Sequence, residues 1–253
     1  MSATDAVIDA LLKARRTRVP ADAAPLANAL VSPDDAYLVQ QAVAHEMGWL
    51  DAGVPQHWKS GGASRTATLM HGALPDEGVW ASPAQLGDWP FRLRYIEAEI
   101  ALRIGRDVDA ALAASLDHGA AATLVDAMTV SIEVVDSRWQ QGLGAPVQLR
   151  LADLLSHGGL VLGDWLPYAA RDWSAQACRV QIGAAVHEFR GTHSLQDPAY
   201  VLPDWLRHAT ADGGTVTAGT VVTTGTWCGA LEAQGGDAVS VQFAGIGEAR
   251  LQF

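Results

Sequence analysis

The sequence predicts an α+β fold in which two N-terminal helices precede a β-rich body. Two capped segments with helical apolar spacing fall within the first 50 residues, and from about residue 50 the chain turns to short alternating or β-branched runs separated by glycine. Helices first and strands afterwards argue against a doubly wound parallel sheet. The expected organisation is a helical region over residues 1–50 and a β-rich region over 51–253, packed as one unit.

The first helix is expected over residues 4–15, with Val7, Ile8, Leu11 and Leu12 on one side and Thr4 and Asp5 at its start. A loop with Pro20 and Pro25 follows. The second helix is better marked. Ser32 caps it, Pro33 suits the first helical position, Asp34 and Asp35 suit the positive end of the dipole, and Gly48 ends it. YIEAEIALRIG alternates as a strand, the alanine-rich stretch around 109–127 reads as a helix weakened by Gly119, and TVSIEVVDS is a β-branched strand. LVLG, RVQIGA, AVHEFRG, GTVVTTGTW, AVSVQFAG and EARLQF read as further strands.

Composition narrows the function. The chain has 253 residues, 49% of them hydrophobic, enough to bury a sizeable core. Its net charge of −11, with only 17 Lys plus Arg, argues against a nucleic-acid partner. Two cysteines, Cys178 and Cys228, make neither a disulfide framework nor a zinc spacing. No signal peptide or membrane-spanning stretch is read, so the expected location is cytoplasmic. The 18% charged fraction points mildly to subunit interfaces.

Three stretches carry candidate chemistry. Alternation puts Glu97 and Glu99 on one face of a strand, one step apart. Paired carboxylates repel unless a proton or cation lies between them, and hard oxygen ligands favour Mg²⁺, Mn²⁺ or Ca²⁺ over Zn²⁺; a solvated strand face is the alternative. Glu133, between Ile132 and Val134, sits in a strand expected to be buried, so it needs a metal or a basic partner. Asp136 is at an odd offset from Glu133 and is expected to pair structurally, with Arg138 a candidate partner. In HWKSGGASR, Lys59 precedes a glycine pair that lets backbone approach a ligand, and it can act as a base or as a point charge for a carboxylate. Asp76 lies in the turn LPDEG, where a structural aspartate is the alternative.

Taken with DDAYLVQ, HWKSGGAS, LPDEGVW, IEAEIAL, SIEVVDSRW and AGTVVTTGT, these stretches resemble the fumarylacetoacetate hydrolase superfamily, and within it the 2-keto-4-pentenoate hydratase, 2-oxo-hepta-3-ene-1,7-dioate hydratase and 4-oxalocrotonate decarboxylase branch. The resemblance runs nearly end to end. It implies a mixed β roll or sandwich with a helical N-terminal region. It implies Mg²⁺ or Mn²⁺ on Glu97, Glu99 and Glu133, with Lys59 and Asp76 assisting proton transfer, and a homo-oligomer acting on small 2-oxo acids. Hydration of 2-hydroxydienoates or 2-oxo-alkenoates in aromatic catabolism ranks first, decarboxylation of the 4-oxalocrotonate type second, and C–C hydrolysis of acylpyruvates third. A non-catalytic binding protein on the same fold is the reading from another class.

Two departures stand out. Where the resembling family commonly reads Asp-Asn-x-Ser, this chain keeps Asp153 and Ser156 but has Leu154 in place of the Asn. Its Gly-His-Pro stretch reads GTHSLQDP, which places His193 in the expected pocket-side loop. Ser156, His193 and Thr226, with Thr224 beside it, are the substrate-binding candidates. His118, His157, His187 and His208 are expected to be surface or structural histidines, since no pair has metal-ligand spacing.

Overall fold

The computed structural model describes residues 2–49 and 54–253; the expected boundary near residue 50 lies outside them. Helix α1 (Ala3–Thr17) is capped by Ser2, two residues before the Thr4 expected: the Ser2 hydroxyl accepts from the Asp5 amide and the Asp5 carboxylate accepts from the Ser2 amide. Helix α2 (Pro33–Glu46) repeats this reciprocal cap with Ser32 and Asp35, as its sequence suggests. The expected alanine-rich helix is instead two short ones, α3 (Ala110–Ser115) and α4 (His118–Ala122). Asp109 and Asp117 each cap a new helix, and residues from Val125 onward belong to a strand. Helices α5 (Val147–Ala152) and α6 (Leu202–Ala209) follow.

The strands run in chain order as β1 (His57–Gly61), β2 (Met70–Leu74), β3 (Val79–Ala81), β4 (Ala84–Gln85), β5 (Tyr95–Ile104), β6 (Val125–Val135) and β7 (His157–Leu162). There follow β8 (Leu166–Pro167), β9 (Ala177–Ile182), β10 (Ala185–Arg190), β11 (Val221–Thr223), β12 (Leu231–Glu232), β13 (Ala238–Phe243) and β14 (Gly247–Gln252). One curled mixed sheet has the order β2-β1-β11-β5-β6-β7-β3, with β12 added to β5 and β8 to β6. A second sheet has the order β10-β9-β13-β14-β4. The α+β class and roll type expected from the sequence are what the chain adopts. GTVVTTGTW is a strand only over Val221–Thr223 and then a loop. HWKSG, with Lys59 just before the glycine pair, is strand β1.

Strand parity separates two environments. Ile96, Ala98, Ile100 and Leu102 of β5, with Val130, Ile132 and Val134 of β6, share the main core with Val180, Val241 and Leu251 of the second sheet. Glu97, Glu99, Ser131 and Glu133 alternate with them and turn to the other side of the first sheet. Burying an aliphatic side chain fully contributes roughly 1.5–3 kcal/mol, so this register is strongly specified. A separate core joins Val7, Leu11, Val39 and Val43 of α1 and α2 to Trp139, Leu149 and Leu151. Among the described residues no helix is long and apolar enough to cross a membrane.

Candidate metal centre

Antiparallel pairing of β5 and β6 sets Glu97 opposite Glu133 and Glu99 opposite Ser131. Ligand oxygens of Glu97, Glu99 and Glu133 all lie within 4.8 Å of one another, and these three could together hold a divalent cation. Glu99 and Glu133 are buried, while Glu97 keeps partial access to solvent.

Lys59 arrives through the neighbouring strands. It lies opposite Thr223 on β11, which in turn lies opposite Ala101 on β5. Its Nζ donates to Glu133 Oε1 at 2.5 Å and reaches the Leu155 carbonyl at 3.5 Å. His157 Nδ1 bonds the same Glu133 oxygen at 2.9 Å. Thr223 Oγ1 donates to Glu99 and bonds the Ser131 hydroxyl at 2.9 Å. The Gly225 amide also favours the charged form of Glu99.

The electrostatics follow from crowding acids in a dry site. Burial, with the charge of Glu133 next, pushes Glu97 up to about 8 and Glu99 up to about 7. Burial pulls the Lys59 ammonium down, but the charges of Glu133, Glu97 and Glu99 more than offset this and hold it above the usual lysine range. Burial raises Glu133, but Lys59 and His157 outweigh it and leave that carboxylate below its ordinary value. Lys59 is therefore an ammonium beside these acids, the reverse of the lowered pKa that a basic role requires.

The donor set fits a hard divalent cation. Three carboxylates supply only oxygen, and the buried Glu133 Oε2 has no hydrogen-bond partner among the described residues. Buried groups of that kind need a partner, and a cation among three acids supplies one.

The other candidates fall in several places. Asp76 is not brought to the carboxylates: its side chain is 74% exposed and its Oδ1 lies 2.7 Å from His57 Nδ1. His57 shares a face of β1 with Lys59, so this pair sits one strand step from the cluster. Ser156 is buried and its hydroxyl lacks a partner among the described residues. His193 is buried, and its Nε2 lies 2.8 Å from the Thr224 carbonyl, directly before the Gly225 amide that favours charged Glu99. Gly225 has φ +102°, and a Cβ there would lie 3.6 Å from His193 Nε2. Thr226 binds its own loop, at the Gly229 carbonyl, and Thr224 Oγ1 donates to Ile100 O. Asp136 is structural, but not with Arg138. It accepts from the Arg92 and Leu93 amides, while Arg138 pairs with Asp153 at 2.6 Å.

Sequence reasoning missed Thr223 and His157. Strand parity within TVVTTGT could have separated Thr223 from Thr224, once β11 was set beside β5. Nothing in the spacing of His157 marks it.

None of the curated proteins compared matches the chain. The solved structures give a clear fold match. A 4-oxalocrotonate decarboxylase from Pseudomonas putida G7, complexed with calcium and acetate, is 18% identical with TM-score 0.82, covering 99% of this chain and 96% of that one. The same enzyme complexed with magnesium and adipate gives 18% identity and TM-score 0.82, covering 99% of this chain and 97% of that one. A 2-hydroxyhepta-2,4-diene-1,7-dioate isomerase from Mycobacterium marinum is 18% identical with TM-score 0.58, covering 79% of this chain and 75% of that one. The family model for the fumarylacetoacetate (FAA) hydrolase C-terminal region matches residues 81–253, which include all three glutamates, and the chain belongs to that family.

Proposed function

We propose that this chain is a Mg²⁺- or Mn²⁺-dependent lyase that decarboxylates small unsaturated 2-oxo acids. The observation that carries the reading is the cluster of Glu97, Glu99 and Glu133 with the Lys59 ammonium set against it. The order of reactions expected from the sequence changes here. The decarboxylase from Pseudomonas putida G7 shares nearly the whole length of the chain, helical region included, whereas the isomerase shares 79% of it. Decarboxylation therefore moves ahead of hydration.

Glu97, Glu99 and Glu133 would hold the cation, whose positive charge would polarise a 2-oxo group and stabilise negative charge on its oxygen. Everything else falls to the chain's own side chains. Burial of Glu99 and Glu133 keeps water from the reacting end. CO₂ leaves from a second carboxylate conjugated with the 2-oxo group, and the electron pair of the broken C–C bond passes through the double bond toward the 2-oxo oxygen. Lys59 Nζ, held protonated beside Glu133, delivers the proton that returns it to carbon. His57 and the exposed Asp76, one strand step away, return a proton from solvent.

The test is a panel of short 2-oxo-alkenoates and 2-oxo-alkenedioates, with and without Mg²⁺ or Mn²⁺, followed for CO₂ release, hydration and C–C cleavage. CO₂ release that depends on the metal and disappears in Glu97→Gln and Lys59→Met supports the proposal. Hydration without CO₂ release assigns the hydratase reaction instead. Full turnover by Glu97→Gln sinks the metal reading altogether.

A further inference from the structure

The residues from Asp153 to His157 form a braced turn against the metal centre. Asp153 is fully buried and anchored from two directions. Arg15 Nη2 of α1 reaches its Oδ1 at 2.9 Å, and Arg138 donates from Nε at 2.6 Å and from its backbone amide at 2.9 Å. The next residues, Leu154, Leu155 and Ser156, have φ of 52°, 55° and 62°. Left-handed backbone costs roughly 1–2 kcal/mol for each residue with a side chain, so such a run persists only where its surroundings over-determine it. Its outcome is two contacts on the site: the Leu155 carbonyl to Lys59 Nζ, and His157 Nδ1 to Glu133 Oε1.

The consequence for Glu133 is specific. Its Oε1 accepts from both Lys59 and His157, while its Oε2 is left without a partner among the described residues. A carboxylate only accepts, so His157 donates from Nδ1. We propose that His157 is a positioning residue of the metal centre: with Lys59 it occupies one oxygen of Glu133, so that this carboxylate presents the other oxygen alone to the cation. The inference rests on the metal reading above. A ligand held to one oxygen suits the small octahedral shell of Mg²⁺, whereas Ca²⁺ takes roughly six to eight oxygens and readily accepts a carboxylate through both. His157 thus contributes to cation choice as well as affinity, and α1 reaches the metal site through Arg15 and Asp153.

The experiment is calorimetric titration of the full-length protein with Mg²⁺ and Ca²⁺, comparing wild type, His157→Ala, His157→Asn and His157→Gln. Asparagine places an N–H near the Nδ1 position; glutamine keeps the bulk but carries its N–H too far along the chain to replace Nδ1. The expected result is a loss of about 10–100-fold in Mg²⁺ affinity for the Ala and Gln variants, the usual size for removing a hydrogen-bond partner of a metal ligand. A smaller loss for Ca²⁺ makes the preference for Mg²⁺ fall, and the Asn variant recovers most of both. Should His157→Ala fail to fold, as metal-free thermal melts will show, the Gln and Asn pair carries the comparison. Wild-type Mg²⁺ affinity and an unchanged Mg²⁺ to Ca²⁺ ratio in the Gln variant overturn the proposal and leave the metal reading standing. A wild-type protein that binds neither cation overturns both.

Discussion

Glu97 and Glu99 are the residues at which this site is least comfortable without a cation. Burial, with the charge of Glu133 next, holds them near 8 and 7 in the fold, against an ordinary value of 4.5. The folded chain thus keeps protons that the unfolded chain has released. That stabilisation is full below the ordinary carboxylate value and is lost as pH rises through the folded values. A cation requires the charged carboxylates, so its binding releases protons and strengthens over the same window. The rise in melting temperature produced by Mg²⁺ is expected to grow as pH increases through 7 and 8; an increment that stays constant across that window contradicts the assignment. Thr223 tunes the same balance. It donates to the Glu99 carboxylate and bonds Ser131, and hydrogen bonds to charged groups contribute roughly 1.5–3 kcal/mol. Thr223→Val is expected to move the pH midpoint of Mg²⁺ binding upward, which calorimetry at several pH values will read directly.

At the scale of elements, β1 and β2 tie the helical layer to the site, and His71 is the hinge of that tie. Its Nδ1 lies 2.9 Å from Ser60 Oγ, its amide donates to the Tyr37 hydroxyl, and its carbonyl accepts from Gln40. Gln40 also donates to the Leu151 carbonyl at the end of α5, so AYLVQ is a brace between β2 and α5. Burial, with His208 beside it, drives His71 down to about 3 from an ordinary 6.5. The unfolded chain therefore takes up a proton at a pH where the folded chain refuses it, and the stability that neutral His71 contributes is lost as pH falls below 6.5. Glu97 and Glu99 pull the metal-free protein the other way over the same window. His71→Asn is therefore expected to shift the slope of urea-unfolding free energy against pH between about pH 6.5 and pH 4.5 by about one proton in favour of the acid side; an unchanged slope rules out the His71 contribution. The long strands β5 and β6 were legible because their alternation sets a charged face against an apolar one. β1 and β2 were not, because HWKSG and MHGAL are short and mix both kinds of residue on both faces. The same limit hid part of the site. Parity within one strand exposes Glu97 and Glu99, but Thr223 needs the pairing of β11 with β5, and His157 needs a left-handed turn that leucine and serine do not advertise.

Across the whole molecule, the helical region lacks an independent core. Val7, Leu11, Val39 and Val43 are buried partly against Trp139, Leu149 and Leu151, which lie more than 90 positions further along the chain than Val43. Arg15 adds a charge contact to Asp153, at the foot of the turn that holds Lys59 and His157. Removing α1 and α2 would expose that apolar surface and leave Asp153 with Arg138 alone. The helices and both sheets are therefore expected to unfold as one cooperative unit. In urea, far-ultraviolet circular dichroism, which follows helix and sheet together, and tryptophan fluorescence should trace coincident transitions. Mg²⁺ binding to the folded state should move both midpoints by the same amount. Leu11→Ala opens a cavity in the small core, far from the glutamates, and is expected to cost about 2–5 kcal/mol. If the molecule is one unit, that loss lowers both transitions together. If the helical region melts separately, Leu11→Ala will shift an early helical transition while the Mg²⁺-stabilised transition stays where it is.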